Sequence, residues 1–248
     1  LFGEHGGIDA SSAGAYLGVP ADETVAVVGL AVGGGASSHA PAMAAIGGAL
    51  RLQASAFAPS SVSSVLGGRA YLMLPGRRSE ASLTRWVRTL VGKFDDVPAL
   101  AGGTLRAAVA APVDGLAAVA DARREVDRVL DGTEADGDRV ATLADSRTAV
   151  LLAETLDLVA SREELRDPRV ALLAEHDSER DSRLLESLRA YLDAHGNVRA
   201  AARRSGVHPN TLRYRLDRAQ ALSGFDLENA ADRLLLALQL AVRRRERP

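Results

Sequence analysis

The chain has 248 residues, 47% hydrophobic and 25% charged, with 30 basic against 32 acidic side chains. This excludes a chain disordered throughout, and the lack of cysteine excludes disulfides, thiolate metal clusters and cysteine nucleophiles, which fits a reducing, cytoplasmic compartment. No apolar run reaches the ~18 residues that a membrane helix needs and no charged-then-apolar signal peptide opens the chain, so no membrane partner is expected.

Position 1 holds Leu1 rather than methionine, as in a piece of a longer protein. Residues 24–30 (TVAVVGL) are a short Val-rich apolar run, read as a buried strand. Gly33, Gly34 and Gly35 open a loop; a phosphate cradle would need a following Lys-Ser/Thr, which is absent. A helix is predicted over 41–52, with Pro41 in its first turn. Residues 61–65 and 69–74 are strands flanking Gly67-Gly68, a hairpin signature. Over 80–91, Leu83, Trp86, Val87 and Leu90 recur at helical spacing. A strand over 105–110, a helix over 115–130, a loop over 131–138, an edge strand over 140–143 and a helix over 147–160 follow. That order describes an α+β sandwich with one sheet.

From about Asp167 the strands stop. Residues 182–248 carry 13 Arg against 7 acidic residues, a balance of +6, while residues 1–181 stand at −8. The boundary between these two electrostatic bodies is placed in the polar stretch 175–183, and the basic body is suited to a polyanion. A helix over 183–195 turns Leu184, Leu188, Tyr191 and Leu192 inward and ends at Gly196. Asn197 caps a short helix over 198–205, on which Val198, Ala201, Ala202 and Ser205 face inward and Arg199, Arg203 and Arg204 face out. Gly206-Val207 makes a turn, and His208-Pro209 starts a third helix with Leu212, Leu216 and Ala219 toward the core. A small-residue helix, a glycine turn and a helix with a polar, basic start make a helix-turn-helix.

A helix presented N-terminus first fits the major groove of B-DNA, where base edges are distinguishable. His208, Asn210 and Arg213 are the base-reading candidates on the recognition helix Pro209–Ser223. Asn197, Arg199, Thr211 and Tyr214 are placed for phosphates, with Arg203 and Arg218 on the same surface. The expected partner is double-stranded operator DNA, bound by a homodimer whose recognition helices match half-sites ~34–36 Å apart. The alternative for these arginines is the solvated face of a helical bundle. The leucine run 234–240 reads as core or dimer packing, and 243–247 as a solvated tail or a source of added phosphate contacts. His5, His39, His176, His195 and His208 show no metal spacing. Ser-His-Asp catalysis stays open, although no G-x-S-x-G elbow is present. No catalytic residue, metal site or cofactor is predicted.

The stretch L-L-E-S-L-R-A-Y-L-D-A-H-G-N-V-R-A-A-A-R-R-S-G-V-H-P-N-T-L-R-Y-R-L, from Leu184 to Leu216, resembles the C-terminal helix-turn-helix of PucR/CdaR-type bacterial transcription regulators. It is similar, more distantly, to the DNA-binding end of Fis. The resemblance continues through S-G-F-D-L (residues 223–227) and D-R-L (residues 232–234), covering roughly 170–243. Many relatives have Arg before N-T-L where this chain has Pro209, so no base contact is carried over to that position.

The resemblance implies a degenerate nucleotide-cyclase-like (GGDEF-like) palm ahead of the helix-turn-helix, and the strand–helix order over 24–143 is similar to that fold. The expected division is a GGDEF-like α+β regulatory domain over 1–165, a linker over 166–181 and an all-α helix-turn-helix domain over 182–248. Cyclase chemistry needs acids that hold Mg²⁺ against triphosphate oxygens. Arg69 and Ala70 stand where the hairpin's signature acids would, and Ala31, Val32 and Gly33 offer no carboxylate, so no enzyme is expected. The expected function is sequence-specific transcriptional regulation, with a small-molecule effector received by the palm or by a sensory region ahead of it. One alternative is a nucleotide- or metabolite-binding regulatory module with its pocket in the palm, and another is an active cyclase or hydrolase.

Overall fold

In the computed structural model of the chain, strand β1 (Thr24–Gly33) runs through the middle of a sheet, as an apolar run must if both its faces are to be buried. The structure describes residues 9–33, 40–100, 103–133 and 137–246. The expected loop residues 34–38 and 134–136, with His5, His39 and Arg247, lie outside the described residues. Two units divide the chain, Leu1–Ala153 and Glu154–Pro248.

In the first unit, helix α1 (Ala10–Leu17) precedes β1, and α2 (Ala40–Phe57) follows it. The hairpin of β2 (Val62–Leu66) and β3 (Arg69–Pro75) comes next, then α3 (Glu80–Gly92), β4 (Thr104–Val109), the two-residue β5 (Val113–Asp114), α4 (Val119–Gly132), β6 (Val140–Thr142) and α5 (Leu143–Ser161). The strand order is β2-β3-β1-β4-β6, with β1 antiparallel to β3 and β4, and β4 parallel to β6. β5 pairs with the first residues of β1. The expected α+β sandwich with one sheet is therefore present, and α1 and β5 are additions to the expected elements.

The period-two geometry of strands sorts the core into two layers. Ala26, Val28 and Leu30 of β1 pack with Met43, Ile46 and Leu50 of α2 and with Leu83, Val87 and Leu90 of α3. Val25 and Val27 face the opposite way, onto Val119, Val126 and Val129 of α4. Trp86, on the half-buried edge of α3, stacks on Phe57 at 4.3 Å between ring centroids. The Gly67-Gly68 turn has φ of 57° and 81°, the double positive φ of a two-residue hairpin turn.

The second unit contains α6 (Pro168–Arg180), α7 (Leu184–Asp193), α8 (Val198–Arg204), α9 (Pro209–Ser223) and α10 (Ala230–Arg245), besides the last residues of α5. Here the expected divisions are corrected. The segment 166–181, expected as a linker, holds α6, whose Val170 and Leu173 are buried with Leu184, Leu188, Leu212, Leu216 and Leu236 in one core. Nor does 175–183 part the two units; it is the tight α6–α7 junction. There the Asp177 carboxylate accepts from the Leu184 and Leu185 amides at 2.7 and 2.9 Å, capping α7 from the preceding helix. A polar stretch reads as a linker from composition, but its polarity here satisfies helix ends.

One close approach in the first unit gives a direct test of this packing. A Cβ on Gly132 would lie 2.6 Å from the Val150 Cα, so helices α4 and α5 meet there with no room for a methyl group. Gly132→Ala is expected to lower stability by about 1–3 kcal/mol. Urea unfolding followed by the fluorescence of Trp86, the chain's one tryptophan, measures it; an unchanged midpoint contradicts the packing.

Candidate nucleic-acid interface

The short helix α8 is made by its capping residue and its alanines. Asn197 Oδ1 accepts from the Ala200 amide at 3.0 Å, supplying a partner for one of the orphan donors of the first turn. Ala201 and Ala202 are buried in the helical core, while Arg199, Arg203 and Arg204 are exposed. Arg204 Nη1 donates to the Asp193 carbonyl at 2.9 Å, closing the C-terminus of α7. The turn follows at Gly206, with φ of 64°, and the Val207 amide donates to the Ala202 carbonyl at 3.1 Å while the valine side chain packs on the core.

Helix α9 then starts under tight local control. His208 is extended, Pro209 fills the first turn without needing a donor partner, and His208 Nδ1 accepts from the Asn210 amide at 3.2 Å. Leu212, Leu216 and Ala219 are buried as their spacing predicts. His208, Asn210, Thr211 and Arg213 are exposed, and Tyr214 is 70% exposed. The structure thus brings Asn197, Arg199, Arg203, His208, Asn210, Thr211, Arg213 and Tyr214 to solvent on α8 and the start of α9, with Arg218 half-buried further along.

The later motifs have a structural role. Gly224 ends α9 at φ 74°, Phe225 and Leu227 plug the core, and Gln220 Oε1 accepts from the Leu227 amide at 2.9 Å. Asp232 accepts from the Asp226 amide at 2.8 Å and Arg233 donates to the Leu227 carbonyl at 2.7 Å, so S-G-F-D-L and D-R-L lock the turn between α9 and α10. The expected solvated tail is corrected: Arg243, Arg244 and Arg245 form the last turn of α10, and Arg245 pairs with Asp157 at 2.8 Å. Positive charge in the last turn is favoured by the partial negative charge of a helix C-terminus, which suits helix over tail.

The other candidate chemistries resolve into structure. Ser182 Oγ donates to Asp177 at 2.6 Å and lies 2.9 Å from His176 Nδ1, so the serine sits between carboxylate and imidazole. A catalytic triad needs the imidazole in the middle. Among the described residues, no group of three or more His, Cys, Asp or Glu side chains could hold a metal ion.

On the palm, Arg69 pins the hairpin to α4. Its guanidinium pairs with Asp127 at 2.8 Å and with Asp131. Burial works against its charge, but the hydrogen bonds it donates to Asp131 and Asp127, with their negative charges, outweigh that and hold its pKa above the ordinary value. Tyr71 donates to Asp127 at 2.6 Å; burial, then that carboxylate, raises its phenol. Arg123 sits 4.9 Å over the Tyr71 ring. On the neighbouring strand, Arg106 stands opposite Ala31 of β1 and donates to the Thr133 carbonyl at 2.9 Å, at the C-terminus of α4. Burial, then the charge of Arg69, lowers its pKa. The guanidinium groups of Arg69 and Arg106 thus both hold α4.

Residues 184–242 match the family described as the PucR C-terminal helix-turn-helix domain, and residues 2–131, just over half of the chain, match the GGDEF-like domain. Over 71 residues the chain is 31% identical to the DNA-binding transcriptional activator AdeR of Bacillus subtilis, a segment that is 29% of this chain and 17% of that protein. Over 59 residues it is 44% identical to an uncharacterised protein of Mycobacterium tuberculosis, covering 24% of this chain and 14% of that one. The matched segments are thus less than a fifth of either relative. A solved structure, the Regulator of Polyketide Synthase Expression from Bifidobacterium adolescentis, aligns over 93% of this chain and 84% of its own at 20% identity, with a TM-score of 0.32. That superposition is too loose to carry the position of any residue across.

The Arg69 contacts predict a measurable loss. Arg69→Ala leaves the Asp127 carboxylate and the Tyr71 hydroxyl with a broken network and is expected to lower stability by about 1–3 kcal/mol. Unfolding in urea read at Trp86 checks this, and a midpoint equal to that of the unsubstituted chain contradicts the pinning role.

Proposed function

The chain belongs to the PucR type of transcription regulator, a GGDEF-like domain followed by the PucR C-terminal helix-turn-helix, and we propose that it binds operator DNA with the start of α9 in the major groove. The observation that carries the proposal is the exposure of His208, Asn210, Thr211, Arg213 and Tyr214 on a helix whose other face is locked into the core. A core-facing stripe of Leu212, Leu216 and Ala219 fixes the helix's rotation, so that the polar residues are presented together.

In this reading His208, Asn210 and Arg213 meet base edges. Asn197, Arg199, Thr211 and Tyr214 meet phosphates, with Arg203 and Arg218 beside them. Between Arg199 and Arg218 six arginines face one aspartate, a charge balance suited to a phosphate backbone. Two copies of the chain bind together, each on one half-site about one helical turn from the other. DNA as the partner places the protein in the bacterial cytoplasm. The palm is read as regulatory rather than catalytic, since Arg69, which the resemblance sets where a cyclase hairpin carries an acid, is engaged in holding α4.

Two arginine substitutions separate the proposed roles. Arg213→Ala is expected to weaken binding to a specific duplex by about 1–3 kcal/mol and to relax preference at one base pair. Arg199→Ala is expected to weaken binding to all duplexes alike and to lower the slope of log affinity against log salt by about 1. Fluorescence anisotropy over a salt series measures both; equal affinity of the unsubstituted chain and the double variant rejects this face.

A further inference from the structure

The hydrogen bonds at the start of α9 decide more than its shape, because they use up the acceptors of the side chains that would read DNA. The inference that follows rests on the DNA-binding reading above. His208 Nδ1 accepts from the Asn210 amide at 3.2 Å, so the imidazole carries its proton on Nε2, and the outward nitrogen is a donor. Asn197 Oδ1 is engaged by the Ala200 amide at 3.0 Å, which leaves its NH₂ group as the outward function. Arg199, Arg203 and Arg213 are donors only. Asn210 Oδ1 faces Arg213 Nη1 at 3.5 Å, so the one remaining amide oxygen is turned toward a cation. The Thr211 and Tyr214 hydroxyls can serve either way. From Asn197 to Arg218 the single carboxylate is Asp217, nine residues along the chain from the His208 cap.

A tip made almost wholly of donors fits one base edge better than the others. In the major groove guanine presents two acceptors, N7 and O6. Adenine presents one acceptor and one donor, cytosine a donor, and thymine one acceptor beside a methyl group. Against adenine or cytosine a donor of the tip would face another donor; against guanine both contacts are made. We propose that α9 is a guanine reader, with Arg213 bidentate on one guanine and His208 Nε2–H on N7 or O6 of a second guanine in the same half-site. The competing assignment from the same residues is Asn210 on adenine, which requires its Oδ1 to leave Arg213.

Selection of bound sequences from random duplexes by the full chain tests this, followed by 7-deazaguanine in place of each enriched guanine. Guanine at two positions of each half-site is expected, and removal of its N7 acceptor should weaken specific binding about tenfold or more while leaving an unrelated duplex unaffected. His208→Asn keeps a capping oxygen, so its thermal midpoint should hold while preference relaxes at one guanine only. Enrichment of adenine at the contacted positions, indifference to 7-deazaguanine, or an unchanged preference in the His208→Asn chain each overturns the guanine assignment and leaves DNA binding standing. A chain that binds no duplex overturns the DNA-binding reading, and the assignment with it.

Discussion

The C-terminal unit depends on the close crossing of its helices in one core, where Ala201 and Ala202 of α8 are buried with Leu212 and Leu216 of α9. Both alanines are buried to within 1% of full exclusion from solvent, and the Ala202 carbonyl also receives the Val207 amide of the turn. A larger side chain at either position would hold the helices apart and leave Leu212 and Leu216 unpacked, since a close-packed core has little slack for added methylenes. With the crossing in place, the rotation of α9 is set. Its apolar stripe is inside, and the residues between are outside for geometric reasons alone. The capping side chains then shape what the outside offers: Asn197 and His208 each give an acceptor to a helix N-terminus and keep a donor for solvent.

The first unit shows a different use of the same residue type. A palm whose hairpin carried acids would place negative charge beside β1. Here Arg69, on β3, and Arg106, on β4, put positive charge on the strands that flank β1 and direct it at α4. Asp127 and Asp131 of α4 answer Arg69, while the C-terminal carbonyl end of the helix answers Arg106. The hairpin glycines persist because a two-residue turn needs two positive φ angles whatever chemistry its neighbours do.

Much of this was visible in the residues, and the exceptions have physical causes. The strand–helix order of the palm, the hairpin at Gly67-Gly68 and the bounds of the recognition helix Pro209–Ser223 could be read from periodicity and turn residues. The fold class and the resemblance to PucR-type regulators agree with the family matches. The pins from Arg69 to α4 could not be read, because they join residues 58 and 62 positions apart whose pairing depends on where the helix lands on the sheet. The segment over 166–181 misled through its polarity. Asp167 and Asp177 are there to satisfy helix ends at Arg169, Leu184 and Leu185, and composition does not distinguish a solvated carboxylate from a capping one. The arginines at 243–245 misled likewise, since a basic run suits a helix C-terminus as well as a tail.

Amide hydrogen exchange of the full chain, with and without duplex DNA, bears most directly on the central claim that α8 and the start of α9 form the DNA-binding face. Added protection is expected over residues 197–218 when duplex is present, with strands β1 and β3 unchanged. Binding of duplex with no added protection over 197–218, or with protection confined to the palm, would contradict that claim.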